Sequence, residues 1–202
     1  MKKITVLTLL LISSFAIAQK MTVKKGDFKF LSGEKDINVE FVYDNLKLMK
    51  ENLTDEQYVA ERKADLNEKA RGNGDSWEQK WYSSRELSYE PKFLELVNIV
   101  LSKKKKDVSF QKNLNNAKYT LIVEAVWIYP GYNVVMAKKG AKVTTVLRFV
   151  ETANRNNVLL EIYSENAPGD VFGGSFSNED RIREGYAKTG KSLAGLILKN
   201  VK

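Results

Sequence analysis

The sequence predicts an α+β domain, a mixed and mainly antiparallel sheet containing a three-strand meander, with helices packed on one face. Two patterns carry this reading. Lys118 to Tyr129, Lys142 to Glu151 and Val158 to Ser164 alternate apolar and polar residues and are joined by short connections. Thr54 to Ala70, Pro91 to Leu101 and Ser177 to Val201 instead carry apolar residues at helical spacing.

In chain order, short alternating segments around Val23 and Phe28-Lys29-Phe30 lead to a turn at Ser32-Gly33-Glu34-Lys35. Asp36 to Tyr43 places Ile37, Val39, Phe41 and Tyr43 on one face of a half-buried strand, and this strand is expected to form a hairpin with the preceding segment. Thr54-Asp55-Glu56-Gln57 is a capping box that opens a helix running to about Ala70. The stripe of Tyr58, Val59, Leu66 and Ala70 is thin, so this helix belongs at the periphery. Gly72-Asn73-Gly74-Asp75 ends it, and Asp75 is placed to cap a second helix in which Trp77 and Trp81 share a face. Pro91 suits the first turn of a third helix, whose Phe93, Leu96, Val97, Val100 and Leu101 fall at core spacing.

In the meander, Tyr119, Leu121, Val123, Ala125 and Trp127 should face the core with Val143, Thr145, Leu147, Phe149, Val158, Leu160 and Ile162. The connections contain Pro130-Gly131 and Asn154-Arg155-Asn156-Asn157. Asn166-Ala167-Pro168-Gly169 and a glycine-rich loop should then end the sheet. Ser177-Asn178-Glu179-Asp180 caps the last helix, which buries Ile182, Tyr186, Leu193, Ile197 and Val201. Its Gly185, Ala187, Gly190, Ala194 and Gly195 suit close packing, since a glycine in a helix interior otherwise costs about 1 kcal/mol.

Residues 1–18 read as a cleaved secretory signal: two lysines, an apolar run too short to cross a bilayer comfortably, then Ala16-Ile17-Ala18. The remaining residues, 19–202, are expected to form a single α+β domain that is periplasmic or secreted, with no transmembrane segment after cleavage. The chain contains no cysteine, which a lipoprotein signal requires, so it is not expected to be a lipoprotein, and disulfides are excluded. It also contains no histidine, which removes the commonest neutral-pH acid–base group and the commonest zinc ligand. No metal and no cofactor is expected. The formal charge of +8 falls to +6 when Lys2 and Lys3 leave with the signal. The Lys103 to Lys106 run sits at a helix C-terminus, where cations complement the dipole, and could also meet an acidic partner. Nucleic acid is not an expected partner of an exported chain.

Several motifs invite chemistry. Gly185-Tyr186-Ala187-Lys188-Thr189-Gly190-Lys191-Ser192 matches the Walker A letters, but it lies within a predicted helix rather than a strand-to-helix loop, so nucleotide is not expected. Ser32-Gly33-Glu34-Lys35 matches Ser-x-x-Lys, but it sits in a turn without the companion motifs. Glu40, Glu124, Arg148 and Glu161 interrupt strands on the outward face, where neighbouring strands in register would put Arg148 between glutamates. Trp127, Tyr129 and Tyr132 surround Pro130-Gly131 at a strand end, where aromatics cover the core or dock a sugar ring or a protein.

On Ala117-Lys118-Tyr119-Thr120-Leu121-Ile122-Val123-Glu124, and on Gly185 to Ala194 as a closing small-residue helix, the chain resembles a group of compact envelope domains. The group comprises the amino-terminal domain of the Tol-system translocation protein, the periplasmic domain of the curli-secretion channel and the lipoprotein activators of penicillin-binding proteins. The resemblance implies a non-catalytic exported domain that binds or assembles with another envelope component, protein or glycan. Its candidate partner residues are Glu124, Arg148, Glu161, Trp127, Tyr129 and Tyr132. The alternative is a hydrolase of glycans or esters using paired carboxylates or a Ser/Lys pair, which needs those groups to converge in a pocket.

Overall fold

The computed structural model describes residues 19–134, 136–169 and 177–201. The expected signal peptide and glycine-rich loop lie outside the described residues. The elements are β1 (Lys20–Gly26), β2 (Asp36–Val42), β3 (Lys47–Leu48), β4 (Leu53–Thr54), α1 (Asp55–Lys69), α2 (Asn73–Ser84), α3 (Glu90–Lys103), β5 (Ser109–Gln111), β6 (Tyr119–Tyr129), β7 (Tyr132–Val134), β8 (Ala137–Lys139), β9 (Ala141–Glu151), β10 (Asn154–Gly169) and α4 (Asn178–Asn200).

The main sheet runs β1-β10-β9-β6-β2-β5, with β3 beside β6 and β4 beside β3. β6, β9 and β10 form the expected antiparallel meander. β2 joins its edge in parallel, reached through the α1–α3 crossover that a parallel neighbour demands. This is the α+β class read from the sequence, but the expected β1–β2 hairpin does not form: β1 pairs with β10 at the far edge. The reason is burial. Ile37, Asn38 and Val39 are buried consecutively, so β2 is covered on both faces and takes a central position, which an exposed strand like β1 cannot share. β10 is also longer than expected, since after an irregularity between Ser164 and Ala167 the strand resumes, and Ala167 to Gly169 pair with Val143 to Ala141 instead of looping away.

The capping box at α1 is complete, Gln57 N–H donating to Thr54 Oγ1 at 3.2 Å and Thr54 N–H donating to Gln57 Oε1 at 2.9 Å. Asp75 does not cap α2. The start of that helix is held by Asn67 of α1, whose Oδ1 accepts from Gly72 and Gly74 N–H, while Asp75 pairs with Lys63 at 2.9 Å. Trp77 and Trp81 stack with centroids 5.5 Å apart. α2 passes into α3 through a π-helical turn, Arg85–Tyr89, rather than a break. Pro91 follows at once; it has no N–H for the helical ladder, and a locally widened turn is one of the few ways a helix carries on past such a residue. The turn also aims Arg85 at Asp55, which accepts a second bond from Trp81 Nε1 at 3.0 Å, tying α1 to α2.

One hydrophobic core collects Leu121, Val123, Val143, Leu147, Phe149, Leu160 and Ile162 from the sheet, Phe93, Val97 and Leu101 from α3, and Ile182, Tyr186, Leu193 and Ile197 from α4. Two glycines set how closely α4 approaches. A Cβ on Gly185 would lie 2.5 Å from Val143 of the sheet, and one on Gly190 would lie 2.4 Å from the Phe93 carbonyl oxygen of α3. Gly195, by contrast, faces open space. The Walker-like letters thus form a helix-packing surface in the middle of α4. Ser32 likewise lies in a turn, and Lys35 pairs with Asp107 at 3.5 Å.

Replacing Leu147 by Ala, at a position with no exposed surface, is expected to cost about 2–5 kcal/mol in denaturant melts. Gly190→Ala should destabilise by about 1–3 kcal/mol through overpacking, whereas Gly195→Ala should stabilise by about 0.5–1 kcal/mol through helix propensity. Equal effects at the two glycines would show that α4 does not depend on backbone contact with α3.

Candidate functional site

The outward face of the sheet is built by strand register. Glu40, Ile122, Arg148 and Glu161 stand side by side across β2, β6, β9 and β10. Glu124 lies one pleat further along β6. Arg148 bridges the two glutamates as the strand pattern predicts: its Nη1 donates to Glu124 Oε2 at 2.6 Å and its Nε donates to Glu161 Oε2 at 2.8 Å. The second oxygen of Glu124 accepts from Asn45 Nδ2 at 3.1 Å. Glu40 is on the same face but belongs to another cluster, held by both terminal nitrogens of Arg155 at 2.6 and 2.7 Å.

These contacts set the charge states. Burial opposes ionisation of Glu124, but the bonds from Asn45 and Arg148 outweigh it and hold its pKa below the ordinary carboxylate value. For Glu40 the Arg155 hydrogen bonds dominate, and its pKa is also lowered. Burial likewise works against the Arg148 cation, and the two glutamates overcome it and raise its pKa. A general acid for glycoside cleavage needs a raised carboxyl pKa, the opposite direction. The face therefore offers fixed charges and hydrogen-bond geometry.

Trp127 is where strand alternation misleads. The sequence places it in the core with Ala125, but β6 carries an irregularity between Ala125 and Trp127 that absorbs Val126 as an extra residue. Past it, Ile128 takes the buried position opposite Val143, while Trp127 opposes Thr144 and Tyr129 opposes Lys142 on the outward side. The Trp127 and Tyr129 rings stack at 15°, centroids 6.4 Å apart, and Trp127 Nε1 donates to the Met49 carbonyl at 2.8 Å. The bulge thus puts Trp127, half-buried, and Tyr129, buried, on the same side of the sheet as Glu124, Arg148 and Glu161. Tyr132 is not part of it; it stands on β7, which pairs with β8 as a separate two-stranded sheet.

Sequence reasoning missed Asn45, which lies in a linker with no periodicity to place it, and Arg155, which the sequence put in a connection but which is the second residue of β10. It also missed the pairing of Lys24 with Tyr163, a cation 5.7 Å from the ring centre at the β1 edge. A lone arginine within the asparagine-rich segment Asn154-Arg155-Asn156-Asn157 was the available signal for Arg155. Among the described residues, no group of three or more acidic residues could hold a metal ion, and no helix is long and apolar enough to cross a membrane.

Arg148→Ala is expected to cost about 1–2 kcal/mol, because Glu124 is left buried with one partner instead of two. In that variant burial should lift the Glu124 pKa, read by NMR titration of its carboxyl carbon; an unmoved value would mean that Arg148 does not hold the carboxylate. Because the folded pKa values of Glu40 and Glu124 lie below their unfolded values, their stabilisation is complete above the unfolded value of about 4.3 and is lost as pH falls through the folded values. Stability should therefore decline on acidification below about pH 4.5, and less steeply in a Glu40→Gln, Glu124→Gln double variant.

No family model and no curated protein matches the chain. Among solved structures, the PelC dodecamer from Paraburkholderia phytofirmans in space group P6 aligns at 11% identity and a TM-score of 0.39, covering 91% of this chain and 97% of that one. A variant PelC dodecamer from the same organism, in space group C2, aligns at 11% identity and a TM-score of 0.38, covering 87% of this chain and 96% of that one.

Proposed function

We propose that this chain is an exported, non-catalytic domain of a bacterial cell envelope that binds or assembles with another envelope component, protein or glycan, through the outward sheet face. The observation that carries this reading is the β6 bulge. It turns the half-buried Trp127, stacked on the buried Tyr129, toward the side that holds the Glu124–Arg148–Glu161 bridge, while α3 and α4 pack on the opposite side. Ile122, Val126 and Val146 are half-buried around the charges. A surface with apolar ground, prepaid ion pairs and an aromatic anchor suits docking, because its polar groups arrive ordered and already satisfied. The kinship proposed with the compact envelope domains named above is of this binding kind. The lowered Glu124 pKa and the commitment of both carboxylates to one guanidinium argue against hydrolysis at this face.

The test is site-specific photocrosslinking in the exporting cell. A crosslinker at Ile122 or Tyr163 should give one reproducible adduct, whereas one at Leu87, exposed on the helical side, should give none. Trp127→Ala should reduce that adduct about tenfold or more. Turnover of a glycan or ester substrate that is abolished by Glu124→Gln would overturn the binding reading.

A further inference from the structure

The β7–β8 hairpin is the most apolar projection on the described surface. Tyr132, Val134 and Met136 are 41%, 56% and 96% exposed, and Met136 has almost no protein contact. Apolar side chains left this open are expected to be covered by something else. The hairpin is aimed by its base. Gly131 adopts φ +68°, where a Cβ would lie 2.3 Å from the Lys139 carbonyl oxygen, and a Cβ on Gly140 would lie 2.4 Å from that of Gly169. Backbone therefore packs on backbone at the neck, which fixes the direction in which the hairpin leaves the sheet.

Charge identifies what covers it. Asn133 pairs with Lys138 and Tyr132 with Lys139 across the hairpin, and Lys142 follows at the start of β9 opposite Tyr129. Among the described residues none of these three lysines forms an ion pair; Lys139 instead lies 4.9 Å from the Tyr129 ring centre. A cavity of about 390 Å³ at the hairpin base is lined by Arg62, which pairs with Asp65 at 2.8 Å, by Arg181, whose Nε donates to the Pro130 carbonyl at 3.1 Å, and by tyrosine, asparagine and apolar side chains. From tip to base the order is aliphatic, then lysine and tyrosine, then the Trp127–Tyr129 stack. This is the order of a lipid interface: hydrocarbon, anionic headgroups, and the level where tryptophan and tyrosine concentrate.

We propose that the β7–β8 hairpin docks this protein reversibly on an anionic lipid surface, with Val134 and Met136 entering the acyl boundary and Lys138, Lys139 and Lys142 meeting headgroup phosphates. A single short wedge without a covalent lipid gives weak, salt-sensitive attachment, which favours contact over permanent anchoring. The hairpin tip is distinct from the Arg148 bridge, and the Trp127–Tyr129 pair lies between the two.

Flotation of the protein, purified after export, with vesicles tests this. Binding is expected to phosphatidylglycerol–phosphatidylcholine vesicles and not to phosphatidylcholine alone, and it should fall as salt rises. Met136→Asp and Val134→Asp should each weaken it at least about tenfold, and Lys138→Gln or Lys139→Gln roughly fivefold each. Arg148→Ala should leave it unchanged, so failure here is distinguishable from failure of the sheet-face reading. Thermal melts of the hairpin variants should match the parent, because the substituted side chains pack on little. Absence of binding to either vesicle, or binding by Met136→Asp equal to the parent, overturns the proposal. So does loss of a protein crosslink in the hairpin variants where no vesicle binding exists.

Discussion

The close approach of α4 is the constraint on which the other features rest. Gly185 lets the helix backbone down onto Val143, and Gly190 lets it meet the backbone of α3 at Phe93. With no side chain between them, Tyr186 and Tyr89 stack at 5.4 Å, and Ile182, Leu193 and Ile197 lose all or nearly all contact with solvent. Such packing loses stability for each misplaced methyl group, so the inner face of the sheet disfavours charge, and the small Thr145 is a polar side chain it holds fully buried. The charged residues of the strands are consequently gathered on the outer face. Gln19 contributes a related tie: its side chain donates to Ser164 of β10 and accepts from Ser192 of α4. The residue just after the expected cleavage point thereby joins the edge of the sheet to the same helix.

On the outer face, cross-strand register turns isolated charges into a defined surface. A guanidinium flanked by carboxylates on both neighbouring strands is ordered by the sheet itself, so little side-chain entropy remains to be lost when a partner arrives. The bulge in β6 adds the aromatic pair to this surface at the cost of one unpaired residue. Bulges are a common means of re-aiming a side chain without ending a strand, and here the re-aimed residue is the largest one on β6.

The outer face and the hairpin follow from opposite uses of the same strand pair. Where β6 and β9 stay in register, they build a flat surface with satisfied charges. Where they part, between Tyr129 and Ala141, glycines at the neck release a short hairpin that exposes apolar side chains beside lysines that form no ion pair among the described residues. The first arrangement suits a partner with its own shape and polar groups, and the second suits a deformable anionic layer.

The sequence by itself determined the fold class, the meander, the capped ends of α1 and α4, and the Arg148 bridge. Each of these is set by short-range periodicity or by side-chain-to-backbone bonds between near neighbours. Side-chain alternation along β6 and β9 placed Glu124 and Arg148 on one face before any strand pairing was known, because the period of two is a property of the backbone. Only the tertiary structure decided that β1 and β2 separate, since burial of β2 on both faces depends on elements far along the chain. It also decided that Trp127 faces outward, because a single extra residue at Val126 reverses every later side chain and leaves no mark in composition. Asn45, Arg155 and the exposed hairpin arms were hidden for the same reason. Their roles depend on what lies across space from them, and local pattern carries no information about that.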